Sequence, residues 1–146
     1  MVAGVNETVD RPGRLLVGQR IWLHRGDGPA LGMGSFRLLV LVDSTGSLSR
    51  AAAEMGMSYS KAWQSIRQSE EATGFPLLER KTGGKGGGGS MLSPQGRWLV
   101  AAFSALLDEA SETLSRLAEK HLGGWPVEAG YADAPPAQLS TSRGGS

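Results

Sequence analysis

The sequence predicts a mostly α-helical fold with one small β-hairpin and a long final helix. Three observations predict it. Two short helical stretches flank a glycine within residues 47–74, and a glycine-rich run separates two short strand-like segments within 77–92. Apolar residues then recur every three or four positions from 94 to 121, the period of one helix face. A helix-turn-helix, a hairpin "wing" and a long helix, in that order, make a winged helix-turn-helix with a C-terminal dimerisation helix.

Taken in order, residues 1–13 are expected to be disordered and the ordered domain to span 14–122. "RLLVGQRIWLHR" (14–25) offers Leu16, Ile21, Trp22 and Leu23 as a loose strand-like apolar set. "GDGPALG" (26–32) reads as a turn-rich connection. "SFRLLVLVDSTG" (35–46) puts Phe36, Leu39, Val40 and Asp43 at helical spacing, with Gly46 closing the element. Ser47 is suited to cap a helix over 48–55, because its hydroxyl accepts from unpaired first-turn amides. Gly56 supplies a sharp turn and Ser58 caps a second helix that runs to about Thr73, where Gly74 and Pro76 stop it.

"PLLER" (76–80) and "SML" (90–92) read as two short strands, and Ser93-Pro94 as a helix entry. The helix from 94 to 121 carries Leu99, Phe103, Leu106, Leu107, Ala110, Leu114 and Leu117 at 3–4 spacing. It is longer than a domain of this size needs for its own core, so Leu99, Phe103, Leu106, Ala110, Leu114 and Leu117 are expected to pack on a second copy. Residues 123–146, rich in Gly, Ala, Pro and Ser, read as a disordered tail.

Composition bounds the function. The chain has 146 residues, 40% hydrophobic and 20% charged, which suits one globular domain with flexible ends. The absence of cysteine excludes disulfides and thiolate metal sites. No apolar run approaches the roughly 20 residues of a membrane span, and the N-terminus lacks the apolar core of a secretion signal. A cytoplasmic protein with no membrane partner is expected. The net charge of +1 conceals a division. Residues 46–98 hold seven Lys/Arg against four Glu, whereas 99–146 hold three basic against six acidic groups. Arg80, Lys81, Lys85 and Arg97 follow one another with no acid between them. Such a local positive field suits a polyanion.

The second helix divides in the way a major-groove reader needs. Ala62, Ile66, Ser69 and Thr73 form a small or apolar face for packing. Tyr59, Ser60, Lys61, Trp63, Gln64, Arg67 and Gln68 form the other, with the donors, acceptors and cations that base edges and phosphates require. Trp63 can be an anchor beside the recognition surface or a buttress between helix and wing; packing is the expected role. Arg50, at the start of the motif, either lies near phosphate or is a solvated surface group. Glu70 and Glu71 point in different directions on a helix and are expected to be surface or salt-bridge residues.

"ERKTGGKGGGGS" (79–90) has three readings. A phosphate-binding P-loop fails, because Lys85 is followed by Gly86 and no helix begins there. A flexible linker stays open, although the flanks are too short to be the edges of separate domains. As the tip of a wing, its glycines let the backbone approach a phosphate chain while Lys81 and Lys85 supply charge. No nucleophile–base–acid set, cofactor fingerprint or metal spacing is visible, and His24 and His121 stand apart from each other and from carboxylates. An enzyme, a metal and a cofactor are therefore not expected.

"GSLSRAAAEMGMSYSKAWQSI" followed by "LLERKTGGKGGGGSMLSPQGRWL" closely resembles the N-terminal DNA-binding domain of the ModE family of molybdate-responsive regulators, a winged helix related to the LysR regulators. The resemblance covers roughly residues 14–121, and its most specific piece is "TGGKGGGGS" before "LSPQG", joined to "SYSKAW" at the right distance. It implies a homodimer, held by the first and the long last helix, that reads a palindromic operator in double-stranded DNA. It implies base or phosphate contacts from Ser58, Tyr59, Ser60, Lys61, Gln64 and Arg67 on the recognition helix. From the wing it implies contacts by Arg80, Lys81, Thr82 and Lys85. Residues 123–146 are too few for the β-barrel oxyanion module of full-length members. Direct molybdate sensing is thus not expected, and any effector would act through a separate sensing protein. The alternative is a protein-interaction winged helix that works through a partner regulator and has weak DNA affinity of its own.

Overall fold

The computed structural model describes residues 15–82, 89–123 and 127–131. Six strands and four helices follow in the order β1 (Leu15–Gln19), β2 (Leu23–Arg25), β3 (Gly28–Leu31), α1 (Met33–Thr45), α2 (Leu48–Glu54), α3 (Tyr59–Thr73), β4 (Leu78–Lys81), β5 (Gly89–Leu92), α4 (Pro94–His121) and β6 (Val127–Tyr131). They sort into two compact units: Ile21–Ala105, and Met1–Arg20 together with Leu106–Ser146.

The Ile21–Ala105 unit is built on local signals. Gly46 ends α1 in the left-handed region at φ 71°, its amide reaching the Val42 carbonyl at 2.8 Å. Ser47 then opens α2 by accepting from the Arg50 amide at 3.2 Å. Gly56 turns the chain at φ 67°, a conformation a Cβ disfavours. Ser58 opens α3 by accepting from the Lys61 amide at 3.2 Å. Gly74 ends it at φ 84°. Helices α2 and α3 with this short glycine turn form the helix-turn-helix.

Its core gathers Leu31, Leu38, Leu39, Val42, Leu48, Ala51, Ala52, Ala62, Ile66, Leu77, Leu92, Leu99 and Phe103, all buried. Alanines 51, 52 and 62 let α1, α2 and α3 approach closely. Phe36 meets Phe103 edge to face at 5.1 Å between centroids, and the Ser35 and Ser65 hydroxyls share a hydrogen bond of 2.8 Å between α1 and α3.

Some expectations are corrected. The strand-like set of 14–25 is two elements, and the connection at 26–32 is largely a strand. Gly26 and Asp27 turn β2 onto β3, with Ala30 and Leu31 buried. The helix expected over 35–46 does form as α1, which buries Leu38, Leu39 and Val42 against α2, α3 and β5 and leaves Val40 exposed. Leu99 and Phe103 are buried within the single chain and so do not offer themselves to a second copy. Finally, residues 127–131 within the expected tail form β6, which pairs in parallel with β1 from Leu15↔Val127 to Gln19↔Tyr131. The ladder satisfies backbone groups that a composition-based reading assigns to solvent. The rest of that tail from 132 on, like residues 1–13, lies outside the described residues.

In the other unit, Gln19 donates to the Ser111 hydroxyl at 2.9 Å. Leu107 and Ala118 are buried. Leu106, Ala110, Leu114 and Leu117 line, with Gln19, Glu109 and Thr113, an open and mainly apolar groove. Four of the six residues expected at a dimer interface therefore share one surface.

Candidate nucleic-acid interface

The wing is an antiparallel hairpin, β4 on β5, in the register Leu78↔Leu92, Glu79↔Met91, Arg80↔Ser90 and Lys81↔Gly89. Its root is fixed from three sides. The Ser90 amide donates to the Gly46 carbonyl at 2.9 Å, and Gly89 lies so close to the same carbonyl that a Cβ there would collide with it. The Glu70 carboxylate on α3 accepts from the amides of Leu77 (2.9 Å) and Leu78 (3.3 Å), where the strand begins. Ser93, fully buried, donates to the Pro76 carbonyl at 2.6 Å, accepts from the Gly96 amide at 2.9 Å and sends its own amide to Leu77 at 2.9 Å. Gly96 has no room for a side chain against the Leu77 carbonyl.

This root sets the outward face. Arg80, Lys81 and Thr82 are exposed along the wing, next to the starts of α2 and α3. Together with Ser47, Leu48, Ser49, Tyr59, Gly89 and Ser90 they line an open cleft of about 590 Å³. Wing cations, hydroxyls and the first turns of two helices thus surround one concavity. That combination suits a phosphate chain, because cations, hydroxyls and main-chain amides are the groups that bind phosphate oxygens.

Along α3, Ala62, Ile66 and Ser69 are buried, and Ser58, Tyr59, Ser60, Lys61, Gln64 and Arg67 are exposed. Arg50 is exposed in the first turn of α2. The structure therefore brings Tyr59, Arg80, Lys81 and Thr82 to one cleft and leaves Ser60, Lys61, Gln64 and Arg67 along the exposed helix. Lys85 lies outside the described residues. Trp63 departs from its expected packing role: it is 47% exposed, and its ring carries the Arg67 guanidinium at 5.1 Å. The i, i+4 spacing places both on one helix face.

Two positioning residues escape a sequence reading. Glu70 acts on a strand seven and eight positions away. Arg25, on β2, donates to the carbonyls of Ala72 (3.2 Å) and Thr73 (3.0 Å), satisfying the C-terminal end of α3 with a cation. The only available signal is that Arg25 and Glu70 are charged residues beside a turn and a helix end. Among the described residues no group of three or more His, Cys, Asp or Glu could hold a metal ion, and no helix is long and apolar enough to cross a membrane.

The geometry defines a class, and comparison with known proteins agrees with it. Residues 33–97 match the bacterial regulatory helix-turn-helix protein family of lysR type. The crystal structure of a BenM_DBD complex with benA site 1 DNA shares the fold, with a TM-score of 0.50 at 22% identity over 64% of this chain and 99% of that one. Residues 33–97 thus match a lysR-type helix-turn-helix family and share the winged-helix fold.

Beyond that match, the chain is similar in sequence to ModE-type proteins. It is 37% identical to the molybdenum-pterin-binding protein MopB of Rhodobacter capsulatus and 38% identical to the molybdenum transport protein ModE of Azotobacter vinelandii. Each match spans 101 residues, 69% of this chain and 37% of the relative. The DNA-binding transcriptional dual regulator ModE of Escherichia coli K12 is 39% identical over 69 residues, 47% of this chain and 26% of that protein. The chain thus spans well under half the length of these relatives.

Proposed function

We propose that the chain is a sequence-specific DNA-binding transcriptional regulator of ModE type, working as a cytoplasmic homodimer on a palindromic duplex site and not as an enzyme. One observation carries this reading: the wing is pinned beside the helix starts, so that Arg80, Lys81 and Thr82 border one open cleft with Tyr59. The exposed polar face of α3 is the surface for base edges, and the cleft is the surface for the backbone. In a dimer the two recognition helices enter successive major grooves about one helical turn apart. The apolar groove along Leu106, Ala110, Leu114 and Leu117 supports self-association through the second half of α4. Lys85 adds to the wing's charge in this scheme.

The test is selection from random duplexes with the purified chain, with and without molybdate. Enrichment of a palindrome in both conditions is expected, since no oxyanion site enters the reading. Enrichment only with molybdate requires an oxyanion site in this chain, and the effector-independent part of the reading then falls. No enrichment in either condition favours a protein-interaction winged helix acting through another regulator. The assembly is tested separately. Leu114→Glu is expected to shift the chain from dimer to monomer in sedimentation while leaving its helix content unchanged. A Leu114→Glu chain that still sediments as a dimer removes the second half of α4 as the interface.

A further inference from the structure

Trp63, Arg67 and Glu71 lie four residues apart along α3 and are exposed, whereas Ala62, Ile66 and Ser69 are buried. What sets Trp63 apart is not its exposure, which Trp22 and Trp98 share, but its cationic neighbour. Here its ring faces the Arg67 guanidinium at 5.1 Å. On the other side Glu71 Oε1 is 3.9 Å from Arg67 Nη2, a distance that gives attraction but is too long for a hydrogen bond. The arginine side chain remains 53% exposed. The guanidinium is therefore held on its face and at one edge without its donor fork being used up.

We propose that Trp63 is a specificity-determining positioning residue, which presents the Arg67 fork, already ordered, to a guanine edge in the major groove. This rests on the DNA-reading function above and names the base it reads. An arginine in water samples many rotamers, and ordering it on contact lowers affinity. The cation–π contact with the indole removes part of that disorder beforehand, as preorganisation does in general. Guanine is the matching base because its N7 and O6 acceptors accept two parallel donors from one guanidinium. A phosphate also accepts this fork, but a phosphate contact does not distinguish one base pair from another.

The experiment uses the full chain and compares wild type, Trp63→Leu, Trp63→Phe, Arg67→Ala and the Trp63→Leu/Arg67→Ala double variant. Two readouts are taken. In the free protein, the Arg67 side-chain protons are expected to show a ring-current shift by NMR that disappears in Trp63→Leu and persists in Trp63→Phe. On duplexes, Arg67→Ala and Trp63→Leu are expected to lose discrimination at the same G·C pair, Trp63→Leu by about three- to fivefold and Arg67→Ala by about tenfold or more. The double variant is expected to be no worse than Arg67→Ala, and Trp63→Phe to restore most of the loss.

Additive losses in the double variant mean that Trp63 acts independently of Arg67, and overturn the inference alone. So does a uniform loss across sequences with a shallower salt dependence in Arg67→Ala, which marks a phosphate contact. Failure of the wild-type chain to prefer any duplex removes the DNA-reading function itself, and this inference with it, even if the ring-current shift is present.

Discussion

The wing's root and its outward face are two positions apart in sequence, Leu78 to Arg80, and are built on opposite terms. At the root, Gly89 is pressed against the Gly46 carbonyl, Glu70 holds two amides, Ser93 spans three backbone groups and Gly96 abuts Leu77. These groups hold one another through named hydrogen bonds, and two positions tolerate no Cβ. At the face, Arg80, Lys81 and Thr82 stand in solvent. The difference teaches where changes are expected to act. Substitutions at the root cost stability, and binding follows only because the wing is misplaced. Substitutions at the face cost binding with the fold intact.

That contrast can be broken at four positions. Gly96→Ala forces a methyl against the Leu77 carbonyl, and a loss of about 3 kcal/mol in urea unfolding is expected, the upper end for overpacking at a site that cannot yield. Ser93→Ala leaves the Pro76 carbonyl and the Gly96 amide without their buried partner; about 2 kcal/mol is expected by the same measurement. Glu70→Gln keeps an acceptor oxygen but loses its charge, so the loss is expected to be smaller, about 1 kcal/mol, with chemical shifts moving at Leu77 and Leu78. Lys81→Ala is expected to leave unfolding unchanged within about 0.5 kcal/mol. In the same variant the salt slope of duplex binding is expected to fall by about one, for every sequence alike. Lys81→Ala that unfolds the chain, or Ser93→Ala that leaves stability untouched while weakening binding, would erase the distinction between root and face.

Local chemistry made much of this fold legible. Ser47, Gly56, Ser58 and Gly74 each act within four residues of themselves, so their caps and turns can be read off the chain. The hairpin follows from two short apolar runs around glycines. Long-range choices are less visible. Helical spacing shows that α4 has an apolar stripe but not which neighbour covers each part of it. Leu99 and Phe103 are covered by the chain itself, whereas Leu106 and Leu117 are left exposed. The β1–β6 pair joins strands more than a hundred residues apart, and no local pattern specifies a parallel partner at that separation. At the candidate interface, residue types announced the exposed cations on α3 and the wing. The Trp63–Arg67 stack and the Glu70 and Arg25 anchors depend on side-chain directions known only once the helix is placed.

Glu70 belongs to α3, yet it grips the amides at which the hairpin begins. Helix and hairpin are thereby parts of one calliper, whose jaws keep a set gauge. If the helix jaw seats on the bases, the hairpin jaw falls at a fixed offset along the duplex backbone. In the proposed complex the offset is then set by the protein rather than by the DNA. Sites with the right bases but an altered groove width would then be refused as firmly as sites with a wrong base.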